Sequence, residues 1–231
     1  MPKILNIETG TSICSVALSQ GRRIIALRES DGDIAHAVKL STFIDEIMNE
    51  EHLQIADLDA IAISEGPGSY TGMRIGVSTA KGLCFGANKP LIAVGSLQSL
   101  TKLAIEKTKP ELEILMCPMI DARRMEVYTA LFDNSANMIN QISAQIVNEN
   151  TYSELLKTHK IMFFGNGAEK CKSVINSTNA IFVDIKASAK GMIDIASEKF
   201  AKSDFVDIAY FEPLYLKDFV VTKSKKNPLQ S

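Results

Sequence analysis

The chain has 231 residues, 46% of them hydrophobic, and a formal net charge of −2, so it can bury a sizeable core in one or two domains. With no Trp, 6% aromatic residues and no basic excess, it lacks the stacking platforms and the charge footprint of an autonomous nucleic-acid binder. Four scattered Cys, none in a CxxC pair, exclude a disulfide framework and a zinc cluster and fit a reducing cytoplasm.

Residues 3–8 (KILNIE) are short and Ile-rich and run into the turn residues Thr9-Gly10-Thr11, which predicts a strand. Residues 12–19 alternate Ile13, Ser15 and Ala17 against Cys14, Val16 and Leu18, a second strand. After the Gln20-Gly21 turn, residues 22–29 form a third, and strands joined so tightly make an antiparallel meander. The period then changes. Over residues 37–51, Leu40, Phe43, Ile44, Ile47 and Met48 fall at three-and-four spacing, an amphipathic helix. Residues 58–64 read as a buried strand, and the glycine-rich turn 65–70 leads into a helix over 72–85. Residues 91–94 are a further strand, and Ser96 is expected to cap a helix reaching about Lys107.

A weaker copy of this order follows. Strands are expected at 113–121, 125–132 and 138–147, a short helix near 152–158, and a strand at 161–165. A helix from Ala168, a strand near 181–183 and a helix near 189–201 complete it. Ile7-Glu8 and Ile120-Asp121 close the two first strands in matching places. A three-stranded meander followed by two crossover units, given twice, is the order of an α/β protein with an actin-like ATPase fold. The expected division is an N-terminal subdomain at 1–109, a smaller degenerate one at 110–217, and a polar tail at 218–231. No run reaches the ~18 apolar residues of a membrane span, and the Met-Pro-Lys start shows no secretory segment; a soluble, cytoplasmic protein is expected.

The stretch 64–76, SEGPGSYTGMRIG, holds most of the local information. A glycine loop between strand and helix can aim backbone N–H groups at an anion. It is neither a Walker A loop, since no Lys follows a glycine at the required spacing, nor a Rossmann fingerprint, since Thr71 stands where the third glycine would be. In the following helix Gly72, Gly76 and Ala80 recur every four residues, and Gly82 and Gly86 repeat the spacing. Helical glycine costs ~1 kcal/mol relative to Ala, so a face stripped of side chains implies close approach by another helix. Packing against a partner is the preferred reading, packing within the domain the alternative. His36, followed at i+4 by Leu40, lacks the second imidazole a helical metal site would need. Glu8, Thr9, Thr11 and Asp121 form a candidate vestigial nucleotide site, since carboxylates at such strand ends can hold Mg²⁺ and orient water. The competing view makes both segments plain turns.

Residues 66–76 (GPGSYTGMRIG), 120–128 (IDARRMEVY), His36, Gly165-Asn166-Gly167-Ala168 and Pro213-Leu214-Tyr215-Leu216-Lys217 together resemble the TsaB (YeaZ) family along nearly the whole chain. The first-strand motif here is Glu8-Thr9-Gly10-Thr11, where relatives more often show Asp-Thr-Ser. The resemblance implies an actin-like (ASKHA, ribonuclease H-like) fold with the second subdomain truncated. It implies a non-catalytic scaffold in tRNA threonylcarbamoyladenosine synthesis, supporting the catalytic paralogue TsaD together with TsaE and meeting tRNA through that complex. No cofactor or metal is then expected on this chain alone; ATP and a divalent metal belong to partner subunits, and no membrane is involved. Pairing with TsaD, or with a second copy, is expected through the two N-terminal helices, at His36, Leu40, Phe43, Ile44, Ile47, Gly72, Met73, Gly76 and Ala80. Two other readings stay open: an independent ATPase or phosphotransferase using Glu8, Thr11 and Asp121, and tRNA contact through Lys217, Lys223, Lys225 and Lys226.

Overall fold

The alternating runs of the first 31 residues form three strands in the computed structural model, which describes residues 1–32 and 35–217. These are β1 (Lys3–Glu8), β2 (Ile13–Gln20) and β3 (Arg23–Asp31). Helix α1 (Ala35–Glu50), strand β4 (Ala60–Gly66), helix α2 (Tyr70–Ala87), strand β5 (Leu91–Gly95) and helix α3 (Ser96–Thr108) follow. The first sheet has the order β3-β2-β1-β4-β5. β1 runs antiparallel to β2 and parallel to β4, and only β3 carries an exposed face.

The second half contains β6 (Leu115–Asp121), β7 (Glu126–Thr129), β8 (Ser143–Ile146), β9 (Ile161–Phe164), α4 (Ala168–Cys171) and β10 (Ala180–Val183). Its sheet order is β10-β9-β6-β7-β8, the first sheet's order read from the other edge. β6 pairs antiparallel with β7 and parallel with β9, as β1 does with β2 and β4. The chain therefore folds the same unit twice, the actin-like arrangement that the order of elements predicts.

The second unit is the poorer one in helices. The helix expected near 152–158 is a turn and a 3-10 segment, Leu155–Lys157, and the helix from Ala168 is a single turn. Leu156 is the buried residue of that 3-10 segment, and one apolar contact does not offset the nucleation cost of a longer helix. The third strand is shorter than 138–147 as well. Ser96 is the first helical residue of α3 rather than its cap: Gly95 occupies the cap position, and the buried Ser96 hydroxyl has no partner.

The core lies in layers on both faces of both sheets. α1 and α2 cover one face of the first sheet with Leu40, Ile44, Ile47, Val77, Ala80 and Cys84. The other face is covered from the far end of the chain, by the 3-10 segment Ala189–Met192 and helix α5 (Ile193–Ala201). The residues 189–201 assigned to the second subdomain thus pack on the first, because Ile4, Ala60, Ile92 and Val94 leave an apolar face there for Met192 and Ile193 to bury. α3 joins the halves, with Leu97, Leu100 and Ala104 packed against Met116, Ile120 and Phe164. Among the described residues, no helix is long and apolar enough to cross a membrane. The tail at 218–231, with Lys223, Lys225 and Lys226, lies outside the described residues.

Candidate functional site

Between the two sheets opens a cleft of ≈ 790 Å³. The first half lines it with the β1–β2 turn (Gly10, Thr11, Ser12), His36 and the loop and first turn of α2, residues 67–73. The second half contributes the β6–β7 hairpin (Asp121 to Arg124, then Glu126), Tyr128 and Asn166, and the extended residues 214–217 form the remaining wall.

Of the four residues assigned to a nucleotide site, the cleft receives two. Glu8 is 1% exposed and turned away from it. Its Oε1 accepts the Gly10 N–H at 2.6 Å. Burial pushes the Glu8 carboxyl up to about 7, only partly countered by that bond and by Ser64. Thr9 is fully buried, its N–H donating to Ser64 Oγ at 3.3 Å and its own hydroxyl without a partner. Thr11 does line the cleft, with its Oγ1 accepting from the Ile13 N–H at 3.2 Å.

Asp121 faces the cleft but is already committed. Its Oδ1 accepts the Arg123 N–H at 3.1 Å and forms an ion pair with Lys170. Its own N–H is held by Asn166 Oδ1 at 3.0 Å. Arg123 and Arg124 then take successive left-handed conformations, φ +69° and +49°, at the tip of the hairpin. Among the described residues, neither arginine joins an ion pair. No three His, Cys, Asp or Glu side chains among the described residues converge in a way that would hold a metal ion. With one carboxylate sealed in the core and the other paired with a lysine, these residues do not fit a Mg²⁺–nucleotide.

The residues assigned to a partner interface are placed differently from the sequence expectation. Leu40, Ile44 and Ile47 are 6% exposed or less and Phe43 is half-buried, all packed on the first sheet. His36 is buried with its Nε2 3.1 Å from the Ile13 carbonyl. Gly72, Met73, Gly76 and Ala80 are buried too. The partner of the glycine face is the chain's own β1–β2 turn. A Cβ on Gly72 would stand 2.2 Å from the Thr9 carbonyl oxygen, and one on Gly76 2.2 Å from Thr9 Oγ1. Across the loop, a Cβ on Gly68 would stand 2.2 Å from the Gly10 carbonyl oxygen. The i, i+4 spacing signals close approach, and at Gly72 and Gly76 what approaches is the chain's own β1–β2 turn, the within-domain alternative.

The outward side of the same two helices is what a partner could reach. There Phe85 is 85% exposed and Val38 61%. Gly82 and Gly86 face open space, with nothing within 4 Å of an added Cβ. Sequence reasoning passed over Phe85, although its offset from Ala80 and Cys84 places it off the buried stripe. Residues 213–217 are a motif of the resemblance, but the place of 214–217 as a wall of the cleft was not foreseen.

A family model described as TsaD, tRNA N6-adenosine threonylcarbamoyltransferase, matches residues 31–224. A relative from Escherichia coli K12, described as tRNA threonylcarbamoyladenosine biosynthesis protein TsaB, is 28% identical over 228 residues, spanning 96% of this chain and 97% of its own. The protein of the same description from Bacillus subtilis 168 is 31% identical over 175 residues, 74% of each chain. Among solved structures, YeaZ from Pseudomonas aeruginosa superposes with a TM-score of 0.78 at 24% identity, over 94% of this chain and all of its own.

Proposed function

The chain belongs to the TsaB (YeaZ) family, and from that premise we propose that it works in tRNA threonylcarbamoyladenosine biosynthesis as a non-catalytic subunit that docks and supports the paralogue TsaD. The observation that carries the reading is a contrast. The carboxylates in and behind the cleft are committed within the fold: Glu8 is buried against Gly10, Asp121 is paired with Lys170 and Glu126 with Lys217. The outer α1–α2 surface, by comparison, leaves a phenylalanine exposed beside two helical glycines. An exposed aromatic on a surface without bulk is the profile of an interface anchor.

In this reading TsaD binds the outer face at Val38, Gly82, Phe85 and Gly86, and a second copy of the chain uses the same face when TsaD is not present. TsaE joins that complex, ATP and the divalent metal are held by the partner subunits, and tRNA is met through the assembly. The net charge of −2 supports that last point, because phosphate contacts would need a basic surface. The test is co-purification with TsaD of the same organism, followed by reconstituted tRNA modification. Phe85→Asp should lose TsaD capture and abolish the activity it supports, with an unchanged far-UV circular dichroism spectrum. Full capture by a folded Phe85→Asp chain would rule this face out.

A further inference from the structure

Residues 214–217 cross the mouth of the cleft and are held by three contacts of different kinds. The Leu214 N–H donates to the Glu65 carbonyl at 2.7 Å, at the end of β4. Tyr215 packs its ring on Tyr70, the first residue of α2, with centroids 4.9 Å apart, and the Arg74 guanidinium lies 4.3 Å from the Tyr70 ring centroid. The Lys217 ammonium forms an ion pair with the Glu126 carboxylate on β7. The first two contacts are on the first half of the molecule; the third is on the second.

The approach to this crossing is anchored as well. Val206 pairs with Leu91 on the edge of the first sheet, and Lys81 Nζ donates to the carbonyls of Ala209 and Phe211 at 3.3 and 3.1 Å. The fit at the crossing is close: a Cβ on Gly66 would stand 3.0 Å from the Leu214 carbonyl oxygen. The halves also meet through α3 and through residues 186–201, which return to the first sheet, and the strap adds a tie on the cleft side, between the α2 loop and β7.

We infer that residues 214–217 form an intramolecular latch, in which the chain's own strap ties the β6–β7 hairpin to the α2 loop and sets the opening of the cleft. Anything that competes for Glu126 or for the Tyr70 ring must first release the strap. Val38, Gly82 and Phe85, on the outer face of α1 and α2, take no part in the latch.

The chain contains no Trp, so Tyr215→Trp places a single fluorophore on the strap. In the latched protein its emission is shielded, with acrylamide quenching well below that of the denatured chain. Lys217→Glu sets two carboxylates against each other and should raise the quenching constant ~5-fold, while amide exchange across 126–129 accelerates ~10-fold as that wall is freed. Adding Glu126→Lys restores the opposite charges and should return both readings toward the parent. The exchange measurement is repeated without the Trp substitution, so a poorly folded reporter does not decide the matter. Free quenching of the indole in the parent overturns the latch, as does indifference of both readings to Lys217→Glu. A freed indole with unchanged exchange at 126–129 also overturns it, because the strap would then be docked without tying the halves.

Discussion

Substitutions at the glycines of α2 should change stability with opposite signs along one helix. Replacing a helical Gly by Ala gains ~1 kcal/mol where the site is open. Gly82 is open, so Gly82→Ala should stabilise by about that amount. At Gly76 the added methyl would stand 2.2 Å from Thr9 Oγ1, 3.1 Å from Ile63 Cδ1 and 3.3 Å from Thr9 Cβ. Inserting bulk into a packed site costs about 1–3 kcal/mol, and with a clash at 2.2 Å the upper part of that range, ~2–3 kcal/mol, applies and outweighs the helical gain. Gly76→Ala should therefore lose a net ~1–2 kcal/mol, a fall in Tm of about 2–8 °C in a chain of this size. The offending atom is identifiable, so the cost should be recoverable. Thr9 Oγ1 is buried without a partner, and Thr9→Ala removes it while forfeiting no hydrogen bond. A double-mutant cycle in urea should show Thr9→Ala rescuing Gly76→Ala by ~1 kcal/mol or more. If Gly76→Ala matches Gly82→Ala, or if the two changes at 9 and 76 are additive, the nesting of the turn on the helix is refuted.

Moving the Glu8 carboxyl from 4.5 to about 7 means that the folded chain holds its proton more tightly than the unfolded one, so stability is fullest below pH 4.5 and falls as pH rises toward 7. That shift corresponds to about 3 kcal/mol, and Glu8→Gln, which keeps an acceptor for the Gly10 N–H, should be the more stable protein at pH 8 and lose that advantage at pH 5 in chemical denaturation. Arg123 and Arg124 sit where Asn and Gly are favoured, so Arg123→Asn with Arg124→Gly should gain about 1–2 kcal/mol by thermal unfolding; a loss would show that the guanidinium groups make contacts of their own. All four cysteines are buried, and burial raises the thiols of Cys14, Cys84 and Cys117 to about 11, 12 and 11, so thiol reagents at pH 8 should react slowly until denaturant is added, then titrate four groups.

The strand order of both halves was legible because its signals are local. Two-residue alternation, turn residues after Glu8 and Gln20, and the change of period at α1 each speak within a few residues. The matching of Ile7-Glu8 with Ile120-Asp121 holds for the same reason: β1 and β6 are the central strands of equivalent sheets. The strap was not legible, because Tyr70 with Tyr215 and Glu126 with Lys217 are contacts between remote parts of the chain that no pattern announces. The return of 189–201 to the first sheet belongs to the same class. The left-handed arginines escaped for the opposite reason, since the local sequence lacks the Gly or Asn that ordinarily marks such a turn.

The glycine loop shows why a motif of this kind does not by itself report a ligand. A phosphate loop uses glycine so that backbone can approach an anion; here backbone approaches backbone. Gly68 and Gly72 lie against the carbonyl oxygens of Gly10 and Thr9, and Ser69 N–H donates to the Gly10 carbonyl at 2.7 Å. The β1–β2 turn thus occupies the inner side of the loop and demands the same absence of Cβ that a phosphate would. Both demands write the same letters into the sequence. What separates them is the state of the neighbouring carboxylates, and there Glu8 spends its oxygen on Gly10 while Asp121 is bound to Lys170. The glycines of the loop are therefore accounted for by its packing on the β1–β2 turn, and the motif alone carries no argument for a phosphate.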